Sequence, residues 1–200
     1  MRTPLRLALP LLIALAAPHV AQAGQFEDDV LAEINFARAN PAAYARELRN
    51  ATAERQYGGG LASVGYADED ALAEAVDFLR NQPALPPLRH DDGLAAAAEA
   101  FARAQARRGD EGHGRGPEAL GPRLQRHGVW AGLTAESLSY GYDNPRDVVI
   151  QLIVDSGVPG RGHRKDIFRR TYQAAGVACG GHAVHGAMCV IDYAGAFAQR

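Results

Sequence analysis

The order of elements read along this sequence predicts an α+β fold, with helices packed on a mostly antiparallel sheet. Three observations carry the prediction. Apolar residues recur at helical spacing through most of residues 26–127. Thr134 to Tyr140 alternates as a half-buried strand does. After one more helix the chain closes on two strand-like runs, near Ala174 to Cys179 and Met188 to Tyr193, joined by a glycine-bounded turn.

The first 23 residues read as an export signal. Arg2 and Arg6 precede an apolar run from Leu7 to Ala17, and Ala21-Gln22-Ala23 is a small-x-small cleavage pattern. The run is short for a membrane span, and no later stretch approaches the ~20 apolar residues that one needs. The alternative reading is an uncleaved anchor. Residues 24–200 are then expected to form one domain.

Phe26 to Ala39 reads as a helix, with Val30, Ile34 and Ala37 on its apolar face. Asn40-Pro41 starts a short helix through Leu48, since proline suits the first helical position. Asn50 to Tyr66, with Gly58-Gly59-Gly60, reads as a loop. Asp68 to Leu79 is a helix and Pro83 to Pro87 is extended. Asp91-Asp92 opens an alanine-rich helix that Gly109 stops. Pro117 to His127 is a short helix ended by Gly128. Asn144-Pro145-Arg146-Asp147 combines an N-cap, a first-turn proline and an acid, and the helix runs to about Asp155. Gly157 to Gly162 reads as a tight loop leading into His163.

The 177 residues from Gly24 onward carry 19 basic and 23 acidic side chains, with no basic stripe. A nucleic-acid partner is therefore not expected. Cys179 and Cys189 flank an expected hairpin turn, and a cross-hairpin disulfide suits an exported chain. Two free thiols, or a Cys/His zinc knuckle using His182 and His185, are the alternatives.

The chemistry concentrates on two histidines 50 residues apart, His113 in Gly112-His113-Gly114 and His163 in Gly162-His163-Arg164, with Glu136 between them in sequence. Brought together, two imidazoles and a carboxylate make a metal site or an acid/base site. Glu136 is a candidate ligand, general base or orienting partner. Asp155, the acid shortly before His163, is a candidate fourth member. Ser137, Ser139 and Ser156 lie in no nucleophile elbow. Gly58-Gly59-Gly60 lacks the lysine of a phosphate loop. His90, His127, His182 and His185 read as solvent-facing.

Taken together, these segments resemble the CAP superfamily (cysteine-rich secretory proteins, venom allergens and plant pathogenesis-related proteins) in its bacterial branch, over roughly Phe26 to Tyr193. The resemblance rests on Ile34-Asn35-Phe36-Ala37-Arg38, Leu88-Arg89-His90-Asp91-Asp92-Gly93-Leu94, Gly112-His113, Ala135-Glu136-Ser137-Leu138 and Gly162-His163-Arg164-Lys165-Asp166-Ile167. It implies a three-layer α-β-α sandwich with a central antiparallel sheet. It also implies a cleft of two histidines and two acids that in some members takes zinc or another divalent cation. His113, Glu136 and His163 match that pattern. Leu152-Ile153-Val154-Asp155 replaces a tryptophan-tyrosine-x-glutamate pattern, so Asp155 stands where the second acid is expected.

Members of the family share no single activity, so the resemblance leaves function open. The leading expectation is an exported binding or interaction module, periplasmic or extracellular. Its His113/His163 cleft would hold zinc or another divalent cation, with Glu136 as a further candidate ligand. Its ligand would be a small molecule, a lipid or a cell-envelope component. The rivals are a metal-dependent hydrolase of peptide, ester or cell-wall substrates, with Glu136 as base, and a lipid- or sterol-binding protein. Neither the oligomeric state nor any enzymatic activity is legible.

Overall fold

Helical periodicity governs the first half of the chain in the computed structural model, which describes residues 23–58, 68–195 and 197–199. Helices α1 (Ala23–Ala39), α2 (Pro41–Gly58) and α3 (Glu69–Asn81) come first. The two-residue strand β1 (Arg89–His90) leads into α4 (Asp92–Arg108), and α5 spans Leu120–Arg126. Strands β2 (Val129–Ala131) and β3 (Thr134–Tyr140) precede α6 (Pro145–Val154) and α7 (Gly162–Ile167). The chain ends on β4 (Ala174–His182), β5 (Gly186–Ala194) and β6 (Phe197–Gln199). The proposed export signal lies outside the described residues except for Ala23. Among the described residues no helix is long and apolar enough to cross a membrane.

The main sheet has the order β1-β4-β5-β3. It is antiparallel across β4, β5 and β3, and β1 adds to its far edge in parallel. Side-chain alternation gives the sheet two apolar faces. Ala175, Val177, Ile191 and Tyr193 join α1, α2, α3 and α6 in one core. Leu138, Ala178, Met188 and Val190 turn the other way, onto Ala98, Phe101 and Ala102 of α4. Helices therefore cover both faces, which is the three-layer α-β-α arrangement. A separate ribbon pairs β2 with β6.

Local signals explain most of the elements. Asp91 caps α4 by accepting the Leu94 N–H at 3.0 Å, and Gly109 ends it at φ 68°. Asn144 caps α6 with Pro145 in its first turn. Gly176 is required by contact, because a Cβ there would lie 2.0 Å from the Ala95 nitrogen. The asparagine and arginine of the first helix prove to be braces. Asn35 exchanges hydrogen bonds with both main-chain groups of Leu88, and buried Arg38 donates to Pro86 and Ile167 carbonyls.

Four expectations need correction. The segment after Asn50 remains helical to Gly58, sustained by helix formers such as Ala51, Ala53 and Glu54; Gly59 and Gly60 lie outside the described residues. Pro117 to His127 divides into a 3₁₀ turn at Gly116–Glu118 and α5. His163 lies in the first turn of α7 and not in a loop. His182 is buried, at 5% exposure, where a solvent-facing ring was expected. Its Nδ1 accepts the Val184 and His185 N–H groups, and its Nε2 meets the Asp110 carbonyl at 2.9 Å.

Candidate functional site

His113 sits in the loop that follows α4. That loop is clamped at Gly112, whose N–H donates to the Tyr140 hydroxyl at 3.1 Å and whose carbonyl accepts from Gln105. The Tyr140 hydroxyl in turn donates to Gln105 Oε1 at 2.9 Å. With Gly112 held at φ 81°, the next side chain is aimed at β3. His113 Nδ1 lies 2.9 Å from Glu136 Oε1.

Glu136 faces the α4/α5 side of β3, and its side chain is only 1% exposed. Its second oxygen, Oε2, accepts from Arg123 Nη2. Arg123 is itself buried, with its guanidinium 4.0 Å from the Phe101 ring centre and Nη1 donating to the Glu118 carbonyl. The same Nη2 lies 3.3 Å from Asp192 Oδ1, and Asp192 is fully buried opposite Glu136 on β5. The bond to Glu136 raises the His113 pKa above its ordinary value, against the opposing effect of burial. Burial, reinforced by Glu136 opposite, pushes the Asp192 carboxyl well above the usual carboxylate range.

His163 is set by a different layer. Asp155 follows the last residue of α6 in left-handed backbone, φ 56°, which only a few non-glycine residues adopt readily. That turn swings its carboxylate under α7. Oδ2 accepts the His163 N–H at 2.9 Å, and Oδ1 meets His163 Nδ1 at 2.8 Å. Arg164 locks the junction by donating to the Ile153 and Val154 carbonyls at the end of α6.

All four sequence-singled residues thus meet in two dyads, His113–Glu136 and His163–Asp155. The rings face each other with centroids 6.5 Å apart. In each dyad the carboxylate occupies Nδ1, leaving Nε2 as the nitrogen available to a ligand. Among the described residues no group of three His, Cys, Asp or Glu side chains is arranged to hold a metal ion. Glu136, a candidate ligand or base by sequence, has both oxygens committed to His113 and Arg123. The serines do not join the site. Ser137 and Ser139 are buried on the opposite face of β3 from Glu136, and Ser156 donates to Asp68.

The sequence matches the family described as Cysteine-rich secretory protein family, CAP, over residues 73–193. The chain belongs to the CAP family. Every site residue of this CAP domain lies inside the matched span. Distantly similar solved structures include the following. An extracellular protein containing an SCP domain from Bacillus anthracis is 18% identical with a TM-score of 0.47, the match covering 61% of this chain and 37% of that one. An outer surface protein from Borrelia burgdorferi is 17% identical with a TM-score of 0.46, covering 58% and 80%. A cysteine-rich secretory protein from Staphylococcus aureus is 16% identical with a TM-score of 0.41, covering 64% and 39%. The match therefore spans well under half of the Bacillus and Staphylococcus chains. No curated protein matches the sequence.

The expected disulfide is present. Cys179 and Cys189 are bonded directly across β4 and β5, and among the described residues no cysteine is free. Sequence reading misses Arg123 and Asp192. Asp192 carried a usable signal, since it is the one acid inside the apolar run from Met188 to Ala194. Arg123 carried none, because α5 and its flanks hold several arginines of identical local appearance.

Hollows of about 570 and 590 Å³ lie elsewhere, the first between the start of α1, α4 and β4, the second at the α6–α7 junction beside Glu74, Arg161 and Lys165. A more apolar one of about 350 Å³ is lined by Phe26, Tyr142 and Met188. None of the three is lined by His113 or His163.

Proposed function

We propose that this CAP domain is an exported ligand-binding module, periplasmic or extracellular, whose binding element is the His113/His163 pair. The observation that carries the reading is the matched anchoring of the two rings. Each Nδ1 is held by a buried carboxylate, at 2.9 and 2.8 Å, so each Nε2 is an oriented donor. Paired imidazoles of this kind suit a divalent cation, zinc foremost, and a carboxylate behind each ring fixes which nitrogen it presents.

The two nitrogens fit such an ion as a partial donor set, with the remaining ligands supplied by water or by the bound molecule. When bound, the ion would supply a Lewis-acidic contact for an oxygen of the ligand. The protein's own residues orient and hold. Arg123 and Asp192 keep Glu136 turned to His113, and Asp155 fixes His163 through ring and main chain. The same commitments weigh against hydrolysis with Glu136 as base, because the carboxylate is bonded at both oxygens and its side chain is only 1% exposed to water. The disulfide and the pattern of residues 1–23 support an oxidising compartment outside the cytoplasm.

Calorimetric titration of the purified protein with ZnCl₂ tests the proposal. One ion is expected per chain at micromolar concentration, with uptake lost in His113→Ala and in His163→Ala. A wild-type protein that takes up no stoichiometric ion in that range overturns it.

A further inference from the structure

The loop that carries His113 has little hold on itself. Among the described residues, no main-chain group of residues 110–114 bonds to another main-chain group. Its fixed points are side chains from outside the loop, Gln105 and Tyr140 at Gly112 and His182 at Asp110. His113 itself reaches Glu136, and its side chain is 56% exposed, against 17% for His163. The aim of the first ring therefore depends on how the loop is pinned.

The β4–β5 hairpin supplies one of the pins. Its strands meet at His182 and Gly186, and the turn between them rests on the end of α4, where a Cβ on Gly109 would meet Val184 at 3.0 Å. His182 lies buried at the base of this turn. The partners of its ring decide where its proton sits. The Val184 and His185 N–H groups can only donate, so Nδ1 accepts them, at 3.3 and 3.2 Å. The Asp110 carbonyl can only accept, so Nε2 carries the hydrogen and donates at 2.9 Å. One neutral ring closes its own turn and holds the neighbouring loop.

A second route runs through Tyr140. Its ring meets His182 edge-on with centroids 5.4 Å apart, and lies 5.1 Å from the ring of His185. Its hydroxyl accepts the N–H of Gly112, the residue before His113. His182 thus grips the loop at Asp110 and backs the tyrosine that grips it at Gly112. His185 stacks on His182 and meets Glu111 at 2.7 Å, a solvent-exposed contact that is weak alone.

We propose that His182 is a positioning residue of the two-histidine site. Held as the Nε2-protonated tautomer, it pins the loop and so presents His113 to the ion that the pair would bind. Its effect on affinity rests on the cation reading; the pinning is a property of the metal-free protein.

The test uses the full exported protein, isotopically labelled, and two substitutions that divide the work of the ring. His182→Asn keeps an acceptor near the Nδ1 position for the turn and removes the donor to Asp110. His182→Gln can still donate from the Nε2 position. Backbone relaxation in EDTA reads the Gly112 and His113 amides without metal, and calorimetry with ZnCl₂ reads the pair. Order parameters of those amides should be about 0.85 in wild type, fall below about 0.6 in His182→Asn and recover in His182→Gln, while Arg164 and Ile167 amides stay unchanged. Zinc affinity should fall about tenfold or more in His182→Asn and largely return in His182→Gln. A merely structural loss would lower the melting temperature and leave the order of the folded loop intact.

Rigid Gly112 and His113 amides in His182→Asn overturn the positioning role, as does wild-type zinc affinity in a variant whose loop is mobile. Mobile amides that glutamine restores, in a protein that takes up no zinc, uphold the positioning role and sink the cation reading alone. If His182→Asn does not fold, imidazole nitrogen shifts of the wild type decide. The Nε2-protonated tautomer at His182 supports the proposal, and the Nδ1-protonated one overturns it.

Discussion

Glu136 on β3 and Asp192 on β5 face each other across the strand pair, and one guanidinium, that of Arg123, reaches both carboxylates. All three side chains are almost fully buried. Buried charges of this kind hold only as a set, because losing one member strands the others away from water. Arg123→Met should lower stability by about 3–5 kcal/mol in urea denaturation. Placing the substitution in an Asp192→Asn background should shrink that loss, which a double-mutant cycle measures. A loss below about 1 kcal/mol for the single variant would show that the carboxylates do not depend on the guanidinium.

The same set gives stability a pH dependence of definite sign. Burial raises the folded pKa of Asp192 above its ordinary value of 3.8. A group raised in this way contributes stability below its unfolded pKa and loses it as pH climbs through the folded value. Asp192→Asn removes that loss, so the variant's stability relative to wild type should improve as pH rises above the ordinary carboxylate value. His113 adds a second fall of the same sign above its ordinary 6.5, because its bond to Glu136 also raises its pKa. Melting temperatures across pH 4 to 8 check both. A relative stability of Asp192→Asn that stays flat or declines over that range contradicts the assignment.

Asp155 links backbone conformation to ring orientation. Asp155→Ala deletes the acceptor for the His163 ring and main-chain N–H and leaves a β-carbon at φ 56°. Zinc affinity should fall about 10–100-fold, the usual consequence of removing a carboxylate behind a histidine ligand. Asp155→Asn, which tolerates the left-handed turn and keeps one acceptor, should fall less. Equal affinities for wild type and Asp155→Ala in calorimetry would remove Asp155 from the site.

The Cys179–Cys189 bond should act on the fold and spare the cleft. It closes a short loop, for which chain entropy gives about 2–3 kcal/mol. Serine at either position should lower the unfolding free energy by that amount while zinc uptake stays within about twofold of wild type. Unchanged melting in both variants would deny the bond a structural role.

Gly176→Ala tests how closely α4 rests on β4. The added methyl would meet the Ala95 nitrogen at 2.0 Å and the Leu94 carbonyl carbon at 2.3 Å, both main-chain atoms that move only with the helix. The cost should reach at least the upper end of the ~1–3 kcal/mol typical of overpacking. Since α4 leads into the His113 loop, zinc affinity should drop as well. A variant with wild-type melting would mean that α4 shifts freely on the sheet.

What the sequence shows and what it hides divide along physical lines. Caps and stops are local, so α4, β3 and α6 can be read from Asp91, Gly109, the alternation of 134–140 and Asn144-Pro145. The histidines stand out because glycine flanks both. Asp155 is legible only as an acid near His163. Its role depends on a left-handed residue at a helix end, where glycine would be the ordinary expectation. Arg123 is illegible because its significance comes from Glu136 and Asp192, brought to it by strand pairing. The helix that begins at Gly162 escapes detection because its first turn is capped from outside, by the Asp155 carboxylate.

One consequence follows from the way the two rings are hung. His113 belongs to the α4/α5 layer and His163 to the α6/α7 layer, and their rings approach each other from the two sides of the sheet. A ligand gripping both is therefore a clasp between the two layers. Filling a gap a few ångströms wide would fasten the layers together, so occupancy should be felt as stiffness in α4 and α6 alike, far from any atom the ligand touches.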